Sequence, residues 1–233
     1  MKHIITIDFE TFYDTSFSLS HLTTEEYIRS PEFQVIGFAI KVDDCSTKWY
    51  SGTHEELQVV LDRYKIHESG LVCHNTIFDG AILSMIFNII PDVYFDTLSM
   101  ARAIHGLNAG GSLKALAIKY NIGEKGTEVL DAKGKRLEDF QEHELHRYGM
   151  YCKNDVELTY DLFKILMTDF PKIECELIDI TLRMFTQPLL SIRDDILVTR
   201  LDEVKAEKQG LLSGLMKRLE CEDEEGVRKK LAS

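Results

Sequence analysis

The stretch HIITIDFET, residues 3–11, determines how the rest of the chain is interpreted. Its β-branched apolar residues predict a buried strand, and alternation along that strand places Asp8 and Glu10 on the same face. Side chains two residues apart in a strand lie about 6–7 Å from each other, close enough to bind one metal cluster. Two carboxylates buried together raise each other's pKa and destabilise a fold unless a cation offsets their charge. The stretch therefore predicts either a metal site or a strand end that emerges into solvent.

The composition is that of an ordinary globular protein. The chain has 233 residues, of which 44% are hydrophobic and 28% charged, enough for one sizeable core with an appendage. No apolar run approaches the length of a membrane span, and acids interrupt the first ten positions, so we expect a cytoplasmic protein without a signal peptide. Five scattered cysteines without a C-x-x-C pair argue against a disulfide framework and a zinc site.

The formal net charge of −12 opposes simple nucleic-acid binding, because the phosphate backbone normally requires a basic surface. If nucleic acid is the substrate, bound divalent metals must neutralise phosphate locally, or a basic neighbouring domain must supply the rest of the affinity.

Alternation, capping patterns and turn residues predict an α/β fold. Strands expected at 33–42 and 48–50 follow the first strand with short connections, which gives the sheet an antiparallel start. Thr53 with Glu56 forms a capping box for the next helix, and Asp96 is expected to cap a later one. The other predicted elements are strands at 71–73 and 93–95 and helices at 23–28, 76–90, 97–105, 113–120 and 138–167.

The long predicted helix carries an acid on its apolar face. Its core-facing stripe follows alternating steps of three and four residues and consists of Tyr148, Tyr151, Asp155, Leu158, Leu162 and Ile165. Tyr151 lies one turn before Asp155, with Cβ atoms about 5–6 Å apart, so both side chains can reach one site. The alternative is that helix curvature lets Asp155 reach solvent.

Asp79 poses the same problem, because it aligns with the apolar residues of the helix predicted at 76–90. Three separate elements thus carry acids where packing favours apolar residues, at Asp8 with Glu10, at Asp79 and at Asp155. One shared cause is more economical than three independent accidents. Four converging carboxylates predict a site for two hard divalent cations about 3.5–4 Å apart.

After residue 170 the composition changes to charged amphipathic helix, predicted at 173–187 and 196–219. The acidic run at 220–225 is typical of a solvated surface. The chain stops within a helical pattern, so we expect it to be the front part of a longer protein. The predicted domains are 1–170 and a helical segment at 171–233.

Three segments resemble the sequence motifs of the DEDD 3′-5′ exonucleases, in their order and spacing. They are IDFET at 7–11, HNTIFD at 74–79 and YCKND at 151–155. Tyr151 makes the chain similar to the tyrosine subtype, and the resemblance covers about residues 1–170. The segment 13–38 and the helix after Phe170, with LRMF at 182–185, further resemble phage-type family A DNA polymerases, which implies that a polymerase domain follows in the same longer chain.

The resemblance implies an RNase H-like fold, a mixed five-stranded sheet flanked by helices and followed here by a helical C-terminal extension. It implies that two Mg²⁺ or Mn²⁺ ions bind to Asp8, Glu10, Asp79 and Asp155. Tyr151 with Glu10 would orient the attacking water; with a free pKa of about 10, the tyrosine suits a hydrogen-bonding role better than that of a strong base.

The resemblance also implies contacts to the terminal nucleotide. Thr11 and Asn75 would seat it, with Phe9 and Phe78 nearby. Alternation along the first strand, however, directs Phe9 to the sheet face opposite Asp8.

The expected function is that of a polymerase proofreading domain, which removes mononucleotides from single-stranded or frayed 3′ ends of DNA in a bacterial or phage-infected cell. The alternative enzyme is a free-standing RNase D-like exoribonuclease. The third alternative, an inactive exonuclease fold kept as an interaction module, is disfavoured because all four acids and Tyr151 are present.

Overall fold

Five strands form one mixed sheet in the described part of the protein. The computed structural model describes residues 2–106, 110–124, 126, 132–188, 192–221 and 223–232. The strands are β1 (Ile4–Thr11), β2 (Val35–Val42), β3 (Lys48–Ser51), β4 (Gly70–Cys73) and β5 (Val93–Asp96). Their order is β3-β2-β1-β4-β5, with β1, β2 and β3 antiparallel and β1, β4 and β5 parallel. The predicted mixed five-stranded α/β fold is confirmed.

The helices begin where capping residues stop the preceding chain. Thr23 with Glu26, and Thr53 with Glu56, form capping boxes at the starts of α1 and α2. The described helices are α1 (Thr24–Arg29), α2 (His54–Leu61), α3 (Thr76–Ala81), α4 (Thr97–His105), α5 (Leu113–Tyr120), α6 (Glu142–Met167), α7 (Lys172–Thr186), α8 (Asp194–Leu219) and α9 (Glu224–Ala232). The capping box predicted at Thr53 and Glu56 is therefore confirmed, and the structure adds the one at Thr23 and Glu26.

The two faces of the sheet bury different helices, because side chains alternate along each strand. Ile5, Ile7 and Phe9 of β1 belong to a core completed by α1, α2 and α3. The other face carries Val72 and Phe95, which pack with apolar residues of α4, α5 and α6. α6 runs along this second face and contacts β1, β2, β3 and β4. Asp8 and Glu10 alternate with Phe9 and so point to the side of the sheet that α6 covers.

Two glycines allow α6 to approach the sheet closely, with Trp49 of β3 between them. A Cβ on Gly37 of β2 would lie 2.6 Å from the Trp49 ring, and a Cβ on Gly149 of α6 would lie 2.5 Å from it. A larger residue at Gly149 requires Trp49 to move, and one at Gly37 would in addition meet the backbone oxygen of Tyr50.

A second contact fastens α6 to the turn between β2 and β3. Lys41 is buried, and its Nζ lies 3.0 Å from Glu157 Oε2 and donates to the Cys45 carbonyl oxygen at 2.8 Å. The Thr47 hydroxyl also donates to Glu157. The ammonium group is thus paired and hydrogen-bonded, as a buried charge must be.

The helix that carries Asp79 is shorter than predicted. α3 ends at Ala81, and a π-helical turn spans Ile82–Ile86. The chain then leaves the helix, because Asn88 takes a left-handed conformation with φ of 53°. The prediction that Ile90 continues the buried stripe is wrong, since this residue is 39% exposed.

The long helix also differs from its predicted extent. α6 begins at Glu142 rather than at 138, because Leu137–Asp139 forms a separate 3-10 turn. Ile165, predicted to end its buried stripe, is 39% exposed. A helix turns at 3.6 residues per turn, so a stripe extended over many residues drifts off the buried face.

The chain divides into two compact units, Met1–Pro188 and Leu189–Ser233. α7 belongs to the first unit: Asp179 accepts a hydrogen bond from the Tyr94 backbone nitrogen at 2.8 Å, and Arg183 donates to the Asp92 carbonyl oxygen at 2.6 Å. The first compact unit therefore includes α7, and the domain boundary at residue 170 stays a prediction. In the second unit α8 contacts α9, whose Val227 is buried. None of the described helices combines the length and apolar character needed to cross a membrane.

Candidate active site

The two acids of β1 lie together at a part of the strand that β4 does not cover. β1 pairs with β4 only through residues 4–6, whereas its pairing with β2 continues to Thr11. Asp8 is half-buried and Glu10 buried. One carboxylate oxygen of each lies within 4.8 Å of the other and of Cys152 Sγ. The structure thus brings the predicted pair to one point beneath α6.

Asp79 joins this pair through the backbone of β1. Its side chain is 3% exposed, and its Oδ1 accepts a hydrogen bond at 3.0 Å from the backbone nitrogen of Phe9, the residue between Asp8 and Glu10. Burial and, next, the charge of Asp8 raise the pKa of Asp79 well above its usual value, while the Phe9 hydrogen bond opposes the rise. A cation beside Asp79 would remove the cost of its ionised form.

Asp96 fixes the start of the helix that carries Asp79. Its Oδ1 accepts hydrogen bonds from the backbone nitrogens of Asn75 at 2.8 Å and Thr76 at 3.1 Å. The same carboxylate caps α4 by accepting from the backbone nitrogens of Leu98 and Ser99. The predicted capping role is confirmed, and the structure adds a tie to α3 that the sequence pattern did not indicate.

Tyr151 and Asp155 reach the same region from α6. Both are buried, Asp155 to 3% exposure, which excludes the alternative in which this acid reaches solvent. Burial, then the charges of Asp155 and Glu10, raise the pKa of Tyr151, so its hydroxyl stays protonated at neutral pH. Because Asp155 and Glu10 both act on Tyr151, the groups from α6 and β1 form one electrostatic cluster.

The predicted substrate contacts fall into two groups. Thr11 and Tyr27 share a hydrogen bond of 2.9 Å between their hydroxyl oxygens, and Tyr27 donates to the Phe12 carbonyl oxygen. The half-buried Phe78 has its ring 6.1 Å from that of Tyr27. Asn75 is exposed, in a left-handed conformation with φ of 75°, directly before α3. Thr11 follows Glu10 and Phe78 precedes Asp79 in the chain. The contacts of Thr11, Asn75 and Phe78 to a nucleotide stay predictions.

Phe9 lies apart from them. Its ring is buried in the core on the opposite sheet face, 5.4 Å from the ring of Phe38 and 5.9 Å from that of Phe87. The structure brings its backbone amide to the acidic cluster and does not bring its ring there.

Cys152 is the site residue that the sequence reasoning missed. Its thiol is fully buried and donates to the Asp8 carbonyl oxygen at 3.3 Å, with Asp8 Oδ2 at 3.5 Å. Tyr148 belongs to the predicted stripe, and in the structure burial and the nearby Glu10 raise the pKa of its hydroxyl. Helical spacing could have pointed to both residues, since Tyr148, Cys152 and Asp155 follow one another at steps of four and three and so share one helix face.

The donor set fits a hard divalent cation. Mg²⁺ prefers oxygen ligands at about 2.0–2.1 Å and commonly binds through one or two carboxylates. The oxygens of Asp8 and Glu10 are close enough to meet at one such ion. Burial first, and then the charge of Asp8, raises the pKa of Asp79, and a cation at the cluster would oppose both effects. This cluster therefore has ligands suited to a divalent cation.

The comparisons with known proteins agree with this geometry. A family model described as 3′-5′ exonuclease matches residues 40–170, more than half of the chain. Among solved structures, Brucella melitensis NrnC is similar, with a TM-score of 0.57, 15% identity and coverage of 79% of this chain and 83% of that one. A search of curated proteins found no significant match.

Two RNase D structures show the same fold. The Trypanosoma brucei enzyme, in its GMP complex, has a TM-score of 0.60 and 13% identity and covers 81% of this chain and 60% of that one. Escherichia coli RNase D has a TM-score of 0.51 and 14% identity and covers 80% of this chain and 46% of that one. At these identities the likeness establishes the fold alone.

Proposed function

Because the chain belongs to the 3′-5′ exonuclease family, we propose that it hydrolyses single-stranded RNA from the 3′ end, one nucleoside monophosphate at a time, without depending on a polymerase domain. The observation that carries the proposal is the cluster of Asp8, Glu10, Asp79 and Asp155 with Tyr151. RNA is favoured over DNA because a similar structure, T. brucei RNase D, has been solved with RNA U12. NrnC, which is also similar, has been solved bound to pGG.

Asp8, Glu10, Asp79 and Asp155 would hold two divalent cations. A similar structure, NrnC, has been solved with bound Mg²⁺. When bound, the cations would supply positive charge beside the scissile phosphate. This also accounts for nucleic-acid binding by a chain with a net charge of −12, since the phosphate would be neutralised locally.

Glu10 and Tyr151 would position the attacking water. The Tyr151 hydroxyl keeps its proton at neutral pH because of burial and the neighbouring acids, so it would donate a hydrogen bond to the water oxygen. A Glu10 carboxylate oxygen would accept the hydrogen bond, and then the proton, from the same water. The water oxygen forms the new bond to phosphorus while the bond to the 3′ oxygen of the preceding nucleotide breaks.

Thr11, Asn75 and Phe78 would seat the terminal nucleotide. The exposed Asn75 side chain and the Thr11 hydroxyl offer hydrogen-bonding groups, and the half-buried Phe78 ring offers an apolar surface for a base. Stacking on one aromatic ring tolerates every base, so this arrangement favours little sequence preference.

Trimming of DNA 3′ ends beside a polymerase is the second candidate. The observation that favours it is the resemblance of the segment 13–38 and of LRMF at 182–185 to phage-type family A polymerases.

Digestion of matched RNA and DNA oligonucleotides tests the proposal. We expect Mg²⁺-dependent loss of 3′ nucleotides, faster from RNA, that stops in EDTA. Asp8→Asn should slow cleavage on the order of a hundredfold or more, because it removes a charged ligand. Asp169→Asn, at an exposed acid after α6, is the matched control and should cleave normally. Faster loss from DNA would favour the second candidate, and no metal-dependent loss from either polymer would overturn both.

A further inference from the structure

Cys152 stands beside two of the acids with its sulfur in ligand position. Its Sγ and one carboxylate oxygen each from Asp8 and Glu10 all lie within 4.8 Å of one another. The three residues come from two elements, β1 and α6, so their meeting results from the fold and not from neighbouring positions in the chain. The thiol and Glu10 are buried, which keeps the set away from bulk water.

The packing around Cys152 holds the sulfur in this position. The residue lies in a small apolar cluster with Ala39 and Val156, and Trp49 packs against the same cluster. Gly149, one turn earlier on α6, has no room for a Cβ beside Trp49. The S–H group is already directed at Asp8, whose carbonyl oxygen accepts from it at 3.3 Å. The sulfur therefore lies where this apolar cluster meets Asp8, 3.5 Å from Asp8 Oδ2.

The separations suit a thiophilic cation. Zinc binds cysteine sulfur at about 2.3 Å and carboxylate oxygen at about 2.0–2.2 Å in a tetrahedral arrangement, so two such ligands of one ion lie about 3.6 Å apart. Cys152 Sγ lies 3.5 Å from Asp8 Oδ2, which matches this separation. A Glu10 carboxylate oxygen lies within 4.8 Å of the sulfur and of an Asp8 carboxylate oxygen, and it would have to lie equally close to bind the same ion. Soft thiolate ligands select zinc-like cations, whereas Mg²⁺ prefers oxygen and gains nothing from sulfur.

We propose that Asp8, Glu10 and Cys152 form a binding site for a thiophilic divalent cation of the Zn²⁺ and Cd²⁺ class, and that this cation excludes Mg²⁺ from the same carboxylates. The exclusion rests on the proposed function, in which Asp8 and Glu10 hold the catalytic metal. On binding, the Cys152 S–H bond breaks, its proton passes to solvent and a sulfur–metal bond forms, so no oxidant or reductant is required. The site thereby couples exonuclease activity to the concentration of thiophilic metals.

Titration of the metal-free protein with Cd²⁺ tests the site without any nuclease assay. Cadmium bound to cysteine sulfur gives an ultraviolet charge-transfer band, and we expect this band to saturate at one Cd²⁺ per chain. Cys152→Ser should remove the band and weaken Cd²⁺ binding by at least about tenfold. Asp8→Asn should weaken it as well, because it removes a second ligand but leaves the thiol in place.

Two cysteines provide matched controls. Cys73 is also buried and near acids, since burial and then the charges of Asp79 and Asp8 raise the pKa of its thiol, but it is outside the three-residue set. Cys45 is exposed. Cys73→Ser and Cys45→Ser should both keep the band. A band that survives in Cys152→Ser, or that is lost in either control, would overturn the proposal.

Competition in the unaltered protein covers the case in which a variant fails to fold. Excess Mn²⁺ should weaken Cd²⁺ binding, because both cations need Asp8 and Glu10, and Cd²⁺ binding unaffected by Mn²⁺ would contradict a shared site. A saturating charge-transfer band in a protein that cleaves neither RNA nor DNA would support the thiol site and overturn the exonuclease proposal. Normal Mg²⁺-dependent cleavage without a band would do the reverse.

Discussion

The backbone amide of Phe9 donates a hydrogen bond to Asp79 Oδ1 at 3.0 Å. β1 lacks a β4 partner beyond Thr6, so this carboxylate satisfies an amide that a neighbouring strand would otherwise satisfy. The contact gives Asp79 a structural part in addition to its proposed part as a metal ligand. A substitution that removes the charge of Asp79 but keeps an oxygen to accept the Phe9 hydrogen bond separates the structural part from the metal-ligand part.

Asp79→Asn should stabilise the metal-free protein at neutral pH while reducing cleavage. Burial and the charge of Asp8 raise the pKa of Asp79 in the folded state above that in the unfolded state. The contribution of such an acid to the free energy of unfolding is fully present at pH values below its pKa in the unfolded state. It is lost as the pH rises through its pKa in the folded state. Asparagine cannot ionise, and its carbonyl oxygen still accepts from Phe9.

Urea unfolding in EDTA at a series of pH values measures this effect. The free energy of unfolding of the unaltered protein should fall more steeply with rising pH than that of Asp79→Asn. Asp169→Asn, at an exposed position, should follow the unaltered protein. If the free energy of unfolding depends on pH in the same way for Asp79→Asn and the unaltered protein, ionisation of Asp79 does not destabilise the metal-free fold.

Tyr151→Phe should slow cleavage by about 10- to 100-fold, the loss expected for one hydrogen bond to a charged or developing-charge partner. Substrate affinity, measured by fluorescence anisotropy with Ca²⁺ in place of Mg²⁺, should stay within about twofold, because the ring remains. An equal loss of affinity and rate would contradict the assignment of Tyr151 as a water-positioning group.

Tyr160→Phe is the control on the same helix. Its hydroxyl donates to Asp44 Oδ1 at 3.1 Å, and burial, then that hydrogen bond, raises the pKa of Tyr160 to about 12. Its side chain contacts Asp44 in the turn between β2 and β3 and is not part of the cluster of Asp8, Glu10, Asp79 and Asp155. We expect normal cleavage from this variant.

Asp96→Ala should lower the free energy of unfolding by about 2–4 kcal/mol, since it removes a helix cap and leaves further backbone amides without an acceptor. The Asn75 and Thr76 amides lose their partner together with the α4 cap. Chemical unfolding gives the stability. Asp96→Asn, which keeps one acceptor oxygen, should recover part of the loss, and no recovery would indicate that the charge rather than the hydrogen bonds matters.

Gly149→Ala should destabilise the protein by about 1–3 kcal/mol, although alanine normally favours a helix. The added Cβ would lie 2.5 Å from Trp49 Cδ1. In a double-mutant cycle, Trp49→Leu should relieve this cost, so the paired variant loses less than the sum of the single losses. Strict additivity would show that the close approach is not the cause.

Local patterns predicted the parts of the fold that depend on local chemistry. The capping box of Thr53 with Glu56 involves residues within one helical turn, so these residues specify where α2 begins. The alternation of Asp8 with Phe9 involves residues within one strand, so it specifies which sheet face each side chain occupies. The burial of Asp79 and Asp155 was also predictable, because each lies among apolar positions of its helix. That the two acids serve one metal site stays a prediction.

Other features depend on tertiary contacts that no local pattern contains. The early end of α3 and the exposure of Ile90 follow from a turn at Asn88, while the sequence continues with helix-compatible isoleucines. α7 belongs to the first unit because Asp179 and Arg183 bond to the region of β5. The sequence pattern does not identify Cys152 as a site residue, because a free cysteine behaves as a small apolar residue and only its neighbours in the fold show that it lies beside Asp8.

Two contacts of α6 with the β2–β3 region restrict how the helix can rotate. Gly149 holds the helix against Trp49, and Glu157 ties it to Lys41, on either side of the segment that carries Tyr151 and Asp155. A helix advances about 100° per residue, so slippage by a single position would swing Asp155 out of the acidic cluster. Contacts on both sides of that segment oppose rotation of α6 about its own axis, so packing contributes to the orientation of Tyr151 and Asp155 independently of any cation.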